Sequence, residues 1–237
     1  MALAARLFIP SEQVIEELAK YDTCILADAV ERLGLRLHNR GFTQPGLRLF
    51  GKSPSSALVG YAVTARIRTA EPPITGRTFF KHTDWWESIR QAPAPRIVVI
   101  EDVDHHPGAG ASMGMIAAAL FKSLDCRAAI TNGSVRDASA VAAMDFTFLA
   151  DQLSPSHAYA HLVAHSCPVE IHGLTIQPGD LLAADEHGVV SIPADAVSKV
   201  RELAEELRKS KEHFVAFCQP ESFSIEAMDN ELRNLQL

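Results

Sequence analysis

At 237 residues, 47% of them hydrophobic, the chain has the length of one large domain and enough apolar material for a sizeable core. A net charge of -7 with no basic stripe argues against nucleic acid as a main partner, and the basic cluster at 208–211 sits among glutamates as on a solvated helix face. No apolar run approaches the roughly 20 residues of a membrane span, the stretch 1–6 is too short for a signal peptide, and Cys24, Cys126, Cys167 and Cys218 are scattered without a CxxC pair, as in a reduced cytoplasmic protein.

Two helices open the chain. Residues 11–20 place Val14, Ile15 and Leu18 on one face behind Ser11 as cap. Residues 23–33 place Ile25, Leu26, Ala29, Val30 and Leu33 inward, with Thr23 as cap and Gly34 as stop. Residues 57–69 are β-branched and read as a strand, and 70–78, with two prolines and a glycine, as a loop. A short helix is predicted from near Thr83 to Ile89, its Trp85-Trp86 pair suiting core or interface. A buried strand, Arg96 to Ile100, ends in Glu101-Asp102. A Gly-rich turn at 107–114, a small-residue helix over 114–124 and a strand through Ala128-Ala129-Ile130 follow, making a βαβ unit of parallel strands. Another strand is predicted at 146–150, several short ones over 168–193, an amphipathic helix over 194–217 and a last helix over 223–237, apolar enough to dock on a partner subunit.

The chemistry-bearing residues gather at the carboxyl ends of the parallel strands, where α/β proteins build their sites. Asn132-Gly133 predicts a sharp turn with positive φ, and Arg136-Asp137 follow at once. A guanidinium beside a carboxylate holds an anion and a divalent cation side by side, or simply pairs on a surface hairpin. The loop at 107–114 reads equally as an anion cradle at a helix start or as a plain tight turn; it is neither a Walker A loop nor a GxGxxG fingerprint. Asp102, Asp104, His105 and His106 form a cluster suited to a metal or a base, or to a solvated loop. His157 and His161 share one helix face if their segment is helical, and read otherwise as surface histidines; His187 shapes a turn. No Gly-x-Ser-x-Gly elbow and no cysteine in an electropositive setting suggests nucleophilic catalysis.

Gly114, 21 intervening residues and then Arg136-Asp137 resemble the signature of the RraA-like family. Supporting stretches lie at 23–29, 60–64, 132–137, 178–181 and 184–193, in that family's order, over a core of about 20–200 within a single domain of 1–237 whose helical extension spans about 194–237. The family includes 4-hydroxy-4-methyl-2-oxoglutarate aldolases with oxaloacetate decarboxylase activity and a regulator of ribonuclease E activity. The resemblance implies an α/β sandwich of the swivelling β/β/α type with a mixed sheet, assembled as a homotrimer or homohexamer with sites at subunit interfaces. It implies Mg²⁺ or Mn²⁺ held by Asp137 and waters, Arg136 on the oxo-acid group of a small 2-oxo acid, and backbone N–H groups near Gly114, Met115, Ile116 and Ala117 on its carboxylate. The metal and Arg136 would stabilise the enolate left when a carbon–carbon bond breaks.

The sequence departs from that pattern at Met115, where the aldolases carry an acid. A thioether neither orients a metal-bound water nor accepts a proton. Retro-aldol cleavage needs a base for the substrate hydroxyl, whereas decarboxylation of a 2-oxo diacid needs mainly an electrophile, so decarboxylation is expected to survive better. Asp102 is the residue expected to act beside Arg136, with Glu101, Asp104 and His105 as other candidates for the base. The expected function is thus a divalent-metal-dependent carbon–carbon lyase, with a non-catalytic protein-binding regulator as the alternative.

Overall fold

The computed structural model describes residues 10–73, 83–218, 224–225, 228–229 and 233. His82, most of the loop predicted at 70–78 and most of the helix predicted at 223–237 lie outside the described residues; 70–73 join no helix or strand. The described elements are α1 (Glu12–Leu18), α2 (Thr23–Arg32), β1 (Arg48–Gly51), β2 (Leu58–Arg68), α3 (Thr83–Gln91), β3 (Arg96–Asp102), β4 (Ala111–Met113), α4 (Met115–Ser123), β5 (Cys126–Thr131), β6 (Ser134–Val135), α5 (Ala138–Ala143), β7 (Thr147–Ala150), β8 (Gln152–Leu153), β9 (His161–His165), β10 (Val169–Ile171), β11 (Leu174–Ile176), β12 (Leu181–Asp185), β13 (Gly188–Ile192) and α6 (Val197–Phe217).

The main sheet runs β1-β7-β5-β3-β2-β12-β13, with β9 also paired to β2. Its centre, β7-β5-β3-β2, is parallel, and the flanking pairs are antiparallel. Parallel strands buried on both faces need apolar runs, and β3 and β5 supply Ile97-Val98-Val99-Ile100 and Ala128-Ala129-Ile130. Side chains alternate between faces along each strand, so one sequence feeds two cores. From β2, Val63, Ala65 and Ile67 pack with α3, α4 and α5 through Trp85, Ile89, Ala118, Phe121 and Val141. Val59 and Tyr61, on the same face, pack with α1, α2 and α6 through Ile15, Leu18, Leu26, Val30, Val200 and Leu207. On the opposite face, Ala62, Ile97, Val99, Ile130 and Leu149 meet the β10–β11 hairpin. Helices, sheet and hairpin therefore form three layers: a mixed α/β fold of the β/β/α type, with the βαβ unit at its centre.

The cap of α2 differs from the sequence expectation. Asp22, not Thr23, is the N-cap: its Oδ1 accepts the Ile25 N–H at 2.7 Å. Thr23 instead donates its N–H and Oγ1 to buried Asp185, at 2.7 and 2.6 Å. Ser11 holds the N-cap position of α1 without a side-chain cap bond. Gly34, at φ +63°, ends α2 as expected.

Candidate active site

Three of the central parallel strands, β3, β5 and β7, lead into a second, much shorter parallel sheet. After β3 comes β4, after β5 comes β6 and after β7 comes β8, in the order β4-β6-β8. The Arg136 N–H donates to the Met113 carbonyl at 2.9 Å, and the Ser154 N–H to the Val135 carbonyl at 3.0 Å, prolonging this ladder. The residue following β4 is Gly114, the N-cap of α4; Arg136 and Asp137 follow β6. Two loops 22 positions apart in sequence are thereby laid side by side.

Asp137 is the pivot. It sits at φ 60°, ψ 30°, in the left-handed region, as N-cap of α5, yet its carboxylate does not cap that helix. Asp tolerates this region better than most residues because its short polar side chain finds local partners. Here Oδ2 accepts the Met115 N–H at 3.1 Å, at the positive end of α4, and Oδ1 lies 3.3 Å from Arg136 Nε. The Met115 N–H first, and then the Arg136 guanidinium, hold the carboxyl below the usual carboxylate range, so it is ionised at neutral pH. The sharp turn expected at Asn132-Gly133 uses no positive φ; the left-handed residue is Asp137 itself. Asn132 instead reaches sideways, exchanging hydrogen bonds of 2.7 and 3.1 Å with the main chain of Asp102 and prolonging the β3–β5 pairing.

A cavity of about 200 Å³ is lined by Ser112, Gly114, Met115, Ile116, Ala117, Arg136, Asp137 and His157. Arg136, Gly114, Met115, Ile116, Ala117 and Asp137 are thus brought together. Met115 and Ile116 are exposed, and the first turn of α4, where helical N–H groups lack intrahelical acceptors, forms one wall. On the other side of Arg136 and Asp137 an open cleft is bordered by Leu153, Ser154 and Pro155.

Asp102 is not part of this lining. Its side chain is 2% exposed, and it accepts hydrogen bonds from Thr69 Oγ1 (2.9 Å), the Gly108 N–H (2.8 Å) and the Asp104 N–H (3.2 Å). Burial pushes its carboxyl up, against the pull of those donors. It fastens the Gly-rich loop to the end of β3, and the catalytic role expected of it gives way to a structural one. Replacing Asp102 with alanine leaves those donors without an acceptor and is expected to cost about 3 kcal/mol in urea denaturation. A loss below about 1 kcal/mol would show that other contacts hold the loop. Glu101 pairs with Arg66 at 2.8 Å, Asp104 accepts the Thr69 and Ala70 N–H groups, and His105 packs against His106 with the rings tilted; none of these lines the cavity.

His157, which the sequence paired with His161 and otherwise read as a surface histidine, lines this cavity. The segment at 157–160 is a turn and His161 opens β9, so the two histidines do not share a helix face. His157 Nδ1 lies 2.7 Å from the Ala111 carbonyl, while His161 Nδ1 lies 2.7 Å from the Tyr159 carbonyl. No short-range pattern carries this placement, because Ala111 is 46 residues from His157.

Asp137 fits a hydrated divalent cation. It is ionised and 29% exposed, and a carboxylate with one donor on each oxygen retains lone pairs. Mg²⁺ keeps several waters and takes one or two carboxylates. Among the described residues, the one grouping of three metal-ligating side chains is Asp185, Glu186 and His187, on the β12–β13 hairpin. There the Asp185 carboxylate receives Thr23 and the His187 N–H, the contacts of a cap and a turn. Among the described residues no helix is long and apolar enough to cross a membrane.

The family model described as RraA-like, Aldolase/RraA, matches residues 23–191. The chain belongs to the RraA-like family. That family includes aldolase and decarboxylase enzymes as well as ribonuclease regulators. Among solved structures, this RraA-like chain is similar to an uncharacterized protein from Pseudomonas syringae pv. tomato, with 20% identity and a TM-score of 0.73 over 97% of this chain and 98% of that one. It is also similar to RraAS2 of Streptomyces coelicolor, an unusual member of the RNase ES inhibitor RraA protein family, with 19% identity and a TM-score of 0.67 over 86% and 96% of the two chains. At these identities the likeness shows the fold alone. A curated relative, protein DlpA of Legionella pneumophila, is 29% identical over 73 residues, a stretch covering 30% of this chain and only 12% of that protein.

Proposed function

We propose that this RraA-like chain is a divalent-cation-dependent carbon–carbon lyase acting on small 2-oxo acids. The observation that carries the reading is the wall shared by Arg136, Asp137 and the start of α4 around one cavity. Arg136 would grip the oxo-acid group, and the N–H groups of the first turn of α4 would receive its carboxylate. Asp137, kept ionised by the Met115 N–H and Arg136, would hold Mg²⁺ or Mn²⁺. A cation bound there supplies positive charge beside the developing enolate oxygen. Arg136 adds a fixed charge to the same oxygen. The reading includes a homotrimer or homohexamer of this chain, supported by the exposed apolar side chains of Met115, Ile116 and Leu153 around the two openings.

The test is pyruvate release, with Mg²⁺ or Mn²⁺, from oxaloacetate and a panel of 4-hydroxy-2-oxo acids. Cation-dependent release abolished by a chelator is the expected result. No release from any of them would favour a protein-binding regulator instead.

A further inference from the structure

We propose that the open cleft beyond Arg136 and Asp137 receives the far end of the substrate, and that it takes an uncharged, apolar group. This names a substrate class for the lyase reading above and rests on it: 2-oxo acids with one carboxylate and a hydrocarbon tail. The cavity at the start of α4, of about 200 Å³, is smaller than the sites that take drug-sized ligands and suits the short oxo-acid end alone. Arg136 and Asp137 line both that cavity and the cleft, whose volume is about 450 Å³. An acid with its carboxylate at the first turn of α4 and its oxo group at Arg136 therefore carries its remaining carbons past Asp137 into the cleft.

The border of the cleft sets what that end can be. Leu153 closes β8 and is 54% exposed, presenting hydrocarbon. Pro155 has no N–H to offer. The Ser154 N–H is spent on the Val135 carbonyl at 3.0 Å, and its hydroxyl donates to the Ser156 carbonyl at 3.2 Å. Among the described residues bordering the cavity and the cleft, Arg136 is the one lysine or arginine, and the oxo group claims it. A second carboxylate reaching the cleft would lose water without a charged partner to replace it. A hydrocarbon group loses nothing there and gains by covering Leu153 and Pro155.

In a 4-hydroxy-2-oxo acid this far end belongs to the half released as an aldehyde or ketone, so the cleft selects alkyl-bearing carbonyl products. Oxaloacetate remains compatible with the assignment, because its second carboxylate is the group that departs as CO₂ and leaves its bonding pair on the enolate.

The test is binding, read by isothermal titration calorimetry on the full chain with Mn²⁺, using 2-oxo acids that lack the 4-hydroxyl and are not cleaved. 5-Methyl-2-oxohexanoate carries an isopropyl group where 2-oxoglutarate carries its second carboxylate, so the two differ in charge at nearly constant shape. The branched acid is expected to bind at least about tenfold tighter than 2-oxoglutarate. Leu153→Arg places a cation on the border and is expected to bring that ratio down by about tenfold or more. Leu153→Ala only shortens the side chain, and is expected to weaken the branched acid about threefold with little change for 2-oxoglutarate. Equal affinities in wild type, tighter binding of 2-oxoglutarate, or a ratio untouched in both variants would overturn the apolar subsite. So would exclusion of the branched acid from a protein that binds pyruvate, the result of a cleft covered by a second copy of the chain. A wild-type protein that binds neither pyruvate nor either longer acid overturns the oxo-acid site itself, and the subsite with it.

Discussion

Replacing Asp137 with alanine is expected to reduce cation-dependent pyruvate release by about 10³-fold, because the charge opposing the developing enolate loses its anchor. Binding of Mn²⁺, followed by electron paramagnetic resonance, should vanish in the same variant. The fold should survive. The Asp137 carboxylate makes no cap bond to α5, and its partners are the Met115 N–H and Arg136, both at the cavity. The chief structural cost is alanine in the left-handed region, about 1 kcal/mol. A shift in thermal midpoint of a few degrees is therefore expected, against a near-total loss of turnover. Unchanged turnover, or unchanged Mn²⁺ affinity, would exclude the metal-holding role of Asp137.

The second large effect is expected at Gly114. Its φ of -153° is extended backbone that any residue adopts, so strain is not the reason for glycine there. The reason is space. A Cβ at this position would lie 2.5 Å from Asp137 Oδ2 and 2.8 Å from Arg136 Cγ. Neither neighbour is a loose side-chain tip: Oδ2 is fixed by the Met115 N–H, and Cγ lies at the root of the arginine. In Gly114→Ala both groups must move, and the Met115–Asp137 bond must lengthen or break. A displacement of about 1 Å in a site of this kind costs about 10²-fold in rate. Turnover should fall by that amount while the circular-dichroism spectrum and urea midpoint stay close to wild type. Wild-type turnover in this variant would show that the Arg136–Asp137 geometry tolerates displacement, contrary to the pre-organised site described above.

Gly114 also shows why part of this site was readable in the sequence. A glycine, a fixed interval and an Arg-Asp pair form a local pattern on each loop, and the family resemblance joined the two loops. The apolar runs of β3 and β5 and the amphipathic α6 were readable for a similar reason, since burial on both faces, or on one stripe, writes itself into neighbouring residues. The strands β4, β6 and β8 are three, two and two residues long and carry no periodicity, so the small sheet that aligns the site left no trace. Competition between partners was equally hidden. Thr23 is a good capping residue by type, but Asp185, 162 positions away, captures it and leaves the cap to Asp22. Asp102 ends a strand, as catalytic acids often do, yet Thr69 and the returning loop at Gly108 fold over it and shut it from the cavity.

The amino-acid order alone determined the layered α/β architecture and the Arg136-Asp137 pair, because each follows from periodicity or adjacency. Only the folded chain decided that Asp137 turns left-handed to meet the start of α4, that Asp102 is walled in, and that His157 joins the cavity through the carbonyl of Ala111. Those outcomes depend on groups up to 46 residues apart, brought together when the parallel strands come into register.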